Sequence, residues 1–419
     1  MSALASSMPS SSEHPAGSLP PVSFDNTAIA FATKSDAQMR KARLLFSSLS
    51  QPWLVKAGIP LSAWLVRLGL PGVRLAVKWT VFEQFCGGES IQECQPVVES
   101  LGRFGVQSIL DYSAEGEKTE EGFEATARET IATIEWAASH PHIPFSVFKT
   151  TGLARFGLLE KLGAGEALSA DEQAEWGRVR ERVLRICQRA HELGVRIFLD
   201  AEETWIQDVI DGLGEEMMAR FNRERPLVYN TYQMYRKASL GNLRAALERA
   251  NAKGYFLGAK LVRGAYMEKE RERAKERGYE DPIQPDKAAT DADYDSAVVF
   301  CLEHLDRMAL CAGTHNEESC QKLVRELARR GIAANDPRVF FSQLYGMSDN
   351  ISFNLAKAGY NVAKYLPYGP VRAVLPYLIR RAQENSAIAG QGGREVRFIR
   401  SELRRRKQTR ALGAGQPTA

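Results

Sequence analysis

Two adjacent arginines, Arg380 and Arg381, sit in the stretch Pro376–Ser386 together with Tyr377 and Glu384. Their spacings of three and four place all four on one face of a helix. Paired guanidinium forks grip a carboxylate or a phosphate in bidentate fashion. Glu384 either holds the Arg380 guanidinium or accepts hydrogen bonds from a ligand hydroxyl. An isolated Arg-Arg pair more often reads as a solvated helix face with an ordinary ion pair. Here the rest of the chain supplies a socket for it.

Further chemistry-bearing residues close short apolar runs. Lys149 ends Ser-Val-Phe-Lys, and is either a Schiff-base nucleophile or a cation for an acidic ligand. Asp200 ends Phe-Leu-Asp, and a carboxylate facing several cations stays ionised. Lys260–Tyr266 reads Lys-Leu-Val-Arg-Gly-Ala-Tyr, where Lys260 and Val262 share a face and Gly264 permits close backbone approach to a planar ligand. Thr314, His315 and Asn316 follow another run, with His315 a neutral donor, a phosphate-side contact or a structural histidine. Asp200, Glu202 and His315 lack the spacing of a metal site, so no metal is expected.

These residues need elements to position them. Eight runs rich in β-branched and aliphatic residues lie at Val106–Asp111, Phe145–Lys149, Val195–Asp200, Leu227–Thr231, Phe256–Leu261, Met308–Gly313, Val339–Ser342 and Asn361–Tyr365. Amphipathic helical segments alternate with them, the pattern of a (βα)8 barrel, although an open doubly wound sheet gives the same alternation. Each run ends in, or is followed at once by, a polar or aromatic group: Asp111 and Tyr112, Lys149, Asp200 with Glu202, Gln233, Arg263, Thr314 with His315, Gln343, Tyr365. In a barrel these ends converge on one mouth.

Composition narrows the class. The 419 residues are 25% charged and 44% hydrophobic, ordinary for a globular protein, and a net charge of +4 is too small to argue for nucleic acid. Six cysteines form no CxxC pair and read as buried thiols. No GxGxxG or P-loop follows a strand. No basic residue precedes Lys34 and no apolar core of a signal is visible, so neither a secretory nor a mitochondrial signal is evident. The expected organisation is a disordered segment over 1–26, a helical arm over 27–103, the barrel over 104–390 and a basic, solvated tail over 391–419. Within the arm, Pro52–Phe85 is apolar and tryptophan-bearing with interspersed basic residues, so it either lies on a membrane surface or packs on the barrel.

The segments Ser146–Lys149, Phe198–Glu202, Tyr232–Tyr235, Lys260–Tyr266, Thr314–Asn316, Gln343–Met347, Lys364–Pro370 and Pro376–Asn385 together resemble the FAD-dependent proline dehydrogenase family, in order, from about Phe85 to Gly390. The resemblance implies a distorted (βα)8 barrel with FAD held non-covalently at the strand C-termini and the last barrel helix above the mouth. It implies oxidation of L-proline to Δ1-pyrroline-5-carboxylate, electrons passing to a membrane quinone, and a downstream pyrroline-5-carboxylate dehydrogenase. Lys149, Arg380 and Arg381 resemble the carboxylate clamp, and Tyr266, Leu344 and Tyr365 the walls of the proline pocket. Asp200 resembles the active-site carboxylate, and Lys260 stands where many members carry a catalytic arginine. Ala201, Gln233, Arg263, Gly264, Ala265, Thr314, His315 and Glu384 resemble flavin contacts. Relatives acting on hydroxyproline carry a small residue at the position of Tyr365, whereas Gln383 resembles that branch. Bulk at a wall decides entry, so proline is the expected substrate. Hydroxyproline dehydrogenase, a flavin-free proline-binding barrel and a metal-dependent lyase are the competing readings. The expected location is cytoplasmic with peripheral contact on the inner membrane, or the matrix side of the mitochondrial inner membrane if the source is eukaryotic.

Overall fold

The computed structural model describes residues 22–51, 71–113, 117–387 and 391–413. Most of the expected disordered segment and residues 52–70 of the arm lie outside them. Eight strands appear where the aliphatic runs stand: β1 Val106–Tyr112, β2 Phe145–Lys149, β3 Arg196–Asp200, β4 Val228–Gln233, β5 Leu257–Val262, β6 Met308–Gly313, β7 Val339–Leu344 and β8 Val362–Tyr368. All pair in parallel, in sequence order, and β1 closes on β8 from Val106↔Val362 to Tyr112↔Tyr368. The open-sheet alternative is thereby excluded.

Strand alternation sorts the side chains into two cores. One set faces the surrounding helices. The other fills the lumen, where Ile109, Val147, Phe198, Tyr229, Phe340, Ala363 and Tyr365 form a cluster of their own. Phe145 stacks on Phe198 with ring centroids 4.4 Å apart, and the Arg196 guanidinium sits 5.5 Å from the Phe145 ring and 5.4 Å from that of Phe340. The lower lumen is therefore packed solid. With a period of two, the next inward position after Ile109 is Asp111, after Val147 is Lys149, and after Phe198 is Asp200. The same alternation that builds an apolar floor lifts a charged layer to the C-terminal mouth.

The outer helices carry ordinary start and stop chemistry. Ser169 and Glu172 form a capping box ahead of Ala170–Leu193, and Gly194 ends that helix with φ of 68°.

The final segment differs from the free tail expected. Gln391–Gly413 is a helix that packs on Asp36–Leu49, and Phe398 and Ile399 join Met39, Phe46, Phe85, Val374 and Tyr377 in a second apolar cluster. Arg406 explains why the basic residues do not hold it in solvent. Its guanidinium meets Asp36 at 3.1 Å, Glu402 at 2.7 Å and the carbonyls of Phe31 at 2.9 Å and Lys34 at 2.8 Å. Glu402 is fully buried and accepts a hydrogen bond from Thr27 at 2.9 Å. In the described part of Pro52–Phe85, Leu75 and Trp79 are exposed while Phe82 and Phe85 are buried, so this stretch both packs and presents apolar surface. Among the described residues, no helix is long and apolar enough to cross a membrane.

Candidate active site

Asp200 is the hub of the charged layer. It is 8% exposed, accepts a hydrogen bond from the Tyr365 hydroxyl at 2.7 Å and from Lys260 Nζ, and has Lys149 Nζ at 3.4 Å. Burial works to raise its pKa, but Lys260 and Lys149 outweigh that and hold the carboxyl below its ordinary value. Lys260 also reaches the Tyr365 oxygen at 3.0 Å and lies 4.5 Å over that ring and 5.0 Å from the Phe198 ring. Asp111 takes Lys149 from the other side at 3.3 Å and is itself held by the Ser113 hydroxyl at 2.7 Å. Lys149 thus stands between two carboxylates. Asp111 marks a strand end in the sequence but carries no assigned role there; only closure of β1 beside β2 reveals it.

The helix Val371–Ala387 follows β8 and seats Val371, Val374, Tyr377 and Leu378 in the second cluster. Arg381 is 6% exposed, bonds Glu384 at 2.5 Å and has its guanidinium 5.1 Å from the Tyr377 ring. Burial raises the Glu384 pKa against the pull of Arg381 and Arg380. Burial raises the pKa of the half-buried Tyr266, Glu202 adds to that, and Lys149 and Arg380 pull against it. Leu344 packs on both the lumen cluster and the second cluster.

Candidate cofactor contacts occupy the opposite arc, on consecutive strand ends. Gln233 closes β4 and donates to the Glu202 carbonyl at 2.7 Å. Arg263 follows β5 and is fixed by Asp291 at 2.7 Å, Thr314 at 2.6 Å and Ser319 at 3.0 Å. Thr314 and His315 follow β6. His315 Nδ1 lies 2.9 Å from Ser348 Oγ, and the Leu344 N–H points at Nε2 at 3.4 Å. Burial, with Lys364, Arg381, Arg394 and Arg263 nearby, pushes the His315 pKa well down, so the ring is neutral. Gly264 has φ of +139°, and a Cβ there would stand 2.4 Å from the Tyr235 ring. The neighbour that needs this glycine bare is therefore Tyr235. Ala265 is exposed and Ala201 half-buried, both at the rim.

Glu202 escaped assignment in the sequence. It is buried, accepts from the Thr151 N–H at 3.0 Å and from the Thr151 hydroxyl, and so anchors the turn that follows Lys149. Burial pushes its carboxyl up to about 7, against those two hydrogen bonds.

A family model described as proline dehydrogenase matches residues 94–394, which takes in the whole barrel, the mouth helix and both arcs. The chain belongs to the proline dehydrogenase family. Members of this family are flavin-dependent oxidoreductases. The human protein named proline dehydrogenase 1, mitochondrial, is 44% identical over 259 residues, covering 61% of this chain and 43% of its own. The Dictyostelium discoideum protein of the same name is 33% identical over 374 residues, covering 79% of this chain and 65% of its own. This chain therefore spans less than two thirds of either relative. A Xenopus laevis hydroxyproline dehydrogenase is 34% identical over 424 residues and matches 92% of this chain and 90% of its own length. Among solved structures, proline utilization A from Bdellovibrio bacteriovorus superposes with a TM-score of 0.68 over 86% of this chain and 41% of that one, at 19% identity. That likeness concerns the fold: a closed parallel barrel with its helices outside.

The residues present fit the flavin that the family implies. A flavin nucleotide asks for donors along a polar ring edge and for cations beside a pyrophosphate. The β4–β6 arc offers the Gln233 amide and the Arg263 guanidinium, with the His315 ring as a neutral surface beside them. Arg394 reaches the same corner, donating to the His315 carbonyl at 3.3 Å, and its buried Nε has no hydrogen-bond partner among the described residues.

Proposed function

We propose that this chain oxidises L-proline to Δ1-pyrroline-5-carboxylate with FAD as its cofactor and a membrane quinone as electron acceptor. The observation that carries the reading is the ionic cluster at the mouth. Asp111, Lys149, Asp200, Lys260 and Tyr365 gather from β1, β2, β3, β5 and β8, and the ends of β4, β5 and β6 bring Gln233, Arg263 and Thr314.

Lys149, Arg380 and Arg381 clamp the substrate carboxylate, and Asp111 and Asp200 fix Lys149 so that the clamp needs little rearrangement. Tyr266, Leu344 and Tyr365 wall the ring and exclude water. Lys260 shares Asp200 and Tyr365 beneath the reacting carbons and keeps positive charge there. The cationic surroundings disfavour an ammonium, so the neutral amine is the bound form. A flavin held there would supply the hydride acceptor; as hydride leaves C5 the nitrogen lone pair forms the C=N bond, and the resulting iminium releases its N–H proton to solvent to give the imine. Gln233, Arg263, Gly264, Ala265, Thr314, His315, Ala201 and Glu384 hold that cofactor. The product is an electrophilic imine whose open-chain aldehyde form suits a pyrroline-5-carboxylate dehydrogenase. Electron transfer to a quinone requires a place at the aqueous face of a respiratory membrane.

The test is the absorbance spectrum of the purified chain before and after L-proline without oxygen. Visible flavin bands that bleach with proline support the reading. Bands that bleach only with hydroxyproline establish the second reading, which the near-complete match to the Xenopus protein and Gln383 favour. No bands after FAD is supplied leave a proline-binding barrel.

A further inference from the structure

Ser348 is the one non-glycine residue with positive φ among the described residues, at φ 51° and ψ 42°. That conformation is unfavourable for an ordinary residue and persists only where the surroundings impose it. Three distant segments impose it here. Glu395, from the C-terminal helix, accepts the Ser348 N–H at 2.8 Å. The next residue, Asp349, is gripped by Lys34 from the N-terminal arm at 2.7 Å and by Lys364 of β8 at 2.8 Å. Arg394 donates to Ser348 Oγ at 3.4 Å and to the His315 carbonyl at 3.3 Å. Ser348 and Lys364 are wholly buried, and Glu395 nearly so.

This turn exists where a neutral imidazole needs a direction. The Leu344 N–H that faces His315 Nε2 can only donate, so Nε2 accepts and the proton resides on Nδ1, which donates to Ser348 Oγ. Both ring nitrogens are then spent on the protein. What His315 offers the cofactor is a fixed ring, and Ser348 is what fixes it.

We infer that Ser348 is a positioning residue: its hydroxyl, held in place by Arg394 and Glu395, sets the tautomer and ring orientation of His315 and ties the C-terminal helix to the cofactor arc. The functional consequence rests on the flavin reading above; the Ser348–His315 link does not.

The experiment uses the full chain with its six histidines labelled with the heavy nitrogen isotope, with and without FAD. Long-range proton–nitrogen spectra separate the two neutral tautomers, and the His315 signal is identified by its loss in His315→Asn. Wild type shows His315 as the Nδ1–H form. Ser348→Ala moves it off that position and weakens FAD binding about tenfold, read by flavin fluorescence quenching, as expected for one lost buried hydrogen bond. Glu395→Gln, whose amide oxygen still accepts the Ser348 N–H, behaves as wild type, while Glu395→Ala follows Ser348→Ala. An unchanged tautomer with FAD affinity within about twofold in Ser348→Ala overturns the inference, as does Glu395→Gln behaving like Glu395→Ala. A wild-type chain that binds no FAD overturns the flavin reading alone, because the tautomer still reports on Ser348 without it.

Discussion

Tyr365 does two jobs that a pair of substitutions separates. Under the proposed function its buried ring walls the proline pocket, and its hydroxyl bonds Asp200 at 2.7 Å and Lys260 at 3.0 Å. Tyr365→Phe keeps the wall and removes the hydroxyl. Asp200 and Lys260 still hold each other, so only part of a charge-assisted hydrogen bond is lost, roughly 1–2 kcal/mol, or about 5- to 30-fold in kcat/KM for proline. The ratio of proline to hydroxyproline turnover stays within about threefold, because bulk at the wall is unchanged. Tyr365→Ser removes the wall as well and admits a ring hydroxyl. Discrimination by a steric difference of this size is worth about 1–3 kcal/mol, so the ratio falls by roughly 10- to 200-fold. The assay is steady-state turnover of both imino acids with an artificial electron acceptor, backed by anaerobic flavin bleaching. If Tyr365→Phe relaxes the ratio as far as Tyr365→Ser does, the hydroxyl and not the ring selects the substrate, and the wall argument fails.

Three further outcomes follow from the buried charges. Asp200→Ala leaves Lys260 without its carboxylate and should lower stability by about 3 kcal/mol, whereas Asp200→Ala combined with Lys260→Met should cost much less than the sum of the single changes; additive urea midpoints would refute the pairing. Glu202 has a folded pKa raised to about 7 by burial, so the folded state binds the extra proton and stability declines as pH rises from about 4.5 to 7. That decline amounts to roughly 3 kcal/mol, and Glu202→Gln should abolish it in unfolding curves taken across that range. Asp349 has the opposite sign: burial raises its pKa, but Lys34 and Lys364 outweigh it and bring the carboxyl to about 2. Its contribution is complete above about pH 4 and is lost as pH falls toward 2. Asp349→Asn should cost about 3 kcal/mol at neutral pH and flatten the acid limb of the stability profile.

The barrel was legible because local pattern dictates it. Aliphatic runs with polar ends, repeated eight times, place Asp200 and Lys149 at one mouth without any knowledge of contacts. Spacing on the last barrel helix likewise put Arg380, Arg381 and Glu384 on one face. Glu202 was legible only as a strand-end group without a role, and Ser348 not at all, because neither carries a local periodicity. Glu202 matters through Thr151, and Ser348 through His315, Arg394 and Glu395, all far away in the chain. The basic run after Arg394 misled for the same reason: its charges are answered by Asp36 and by backbone carbonyls more than 350 residues earlier. What is set by neighbours in sequence could be read; what is set by neighbours in space could not.

Closure of the barrel also sets a timetable for synthesis. Val106 of β1 pairs with Val362 of β8, so one edge of the first strand stands open until the last is made. At translation rates of about 5–20 residues per second, that wait is on the order of 10–50 s. Throughout it, an aliphatic strand offers unpaired backbone groups to any other extended chain. Until β8 emerges, the nascent chain is therefore more open to edge-to-edge misassembly than the finished protein.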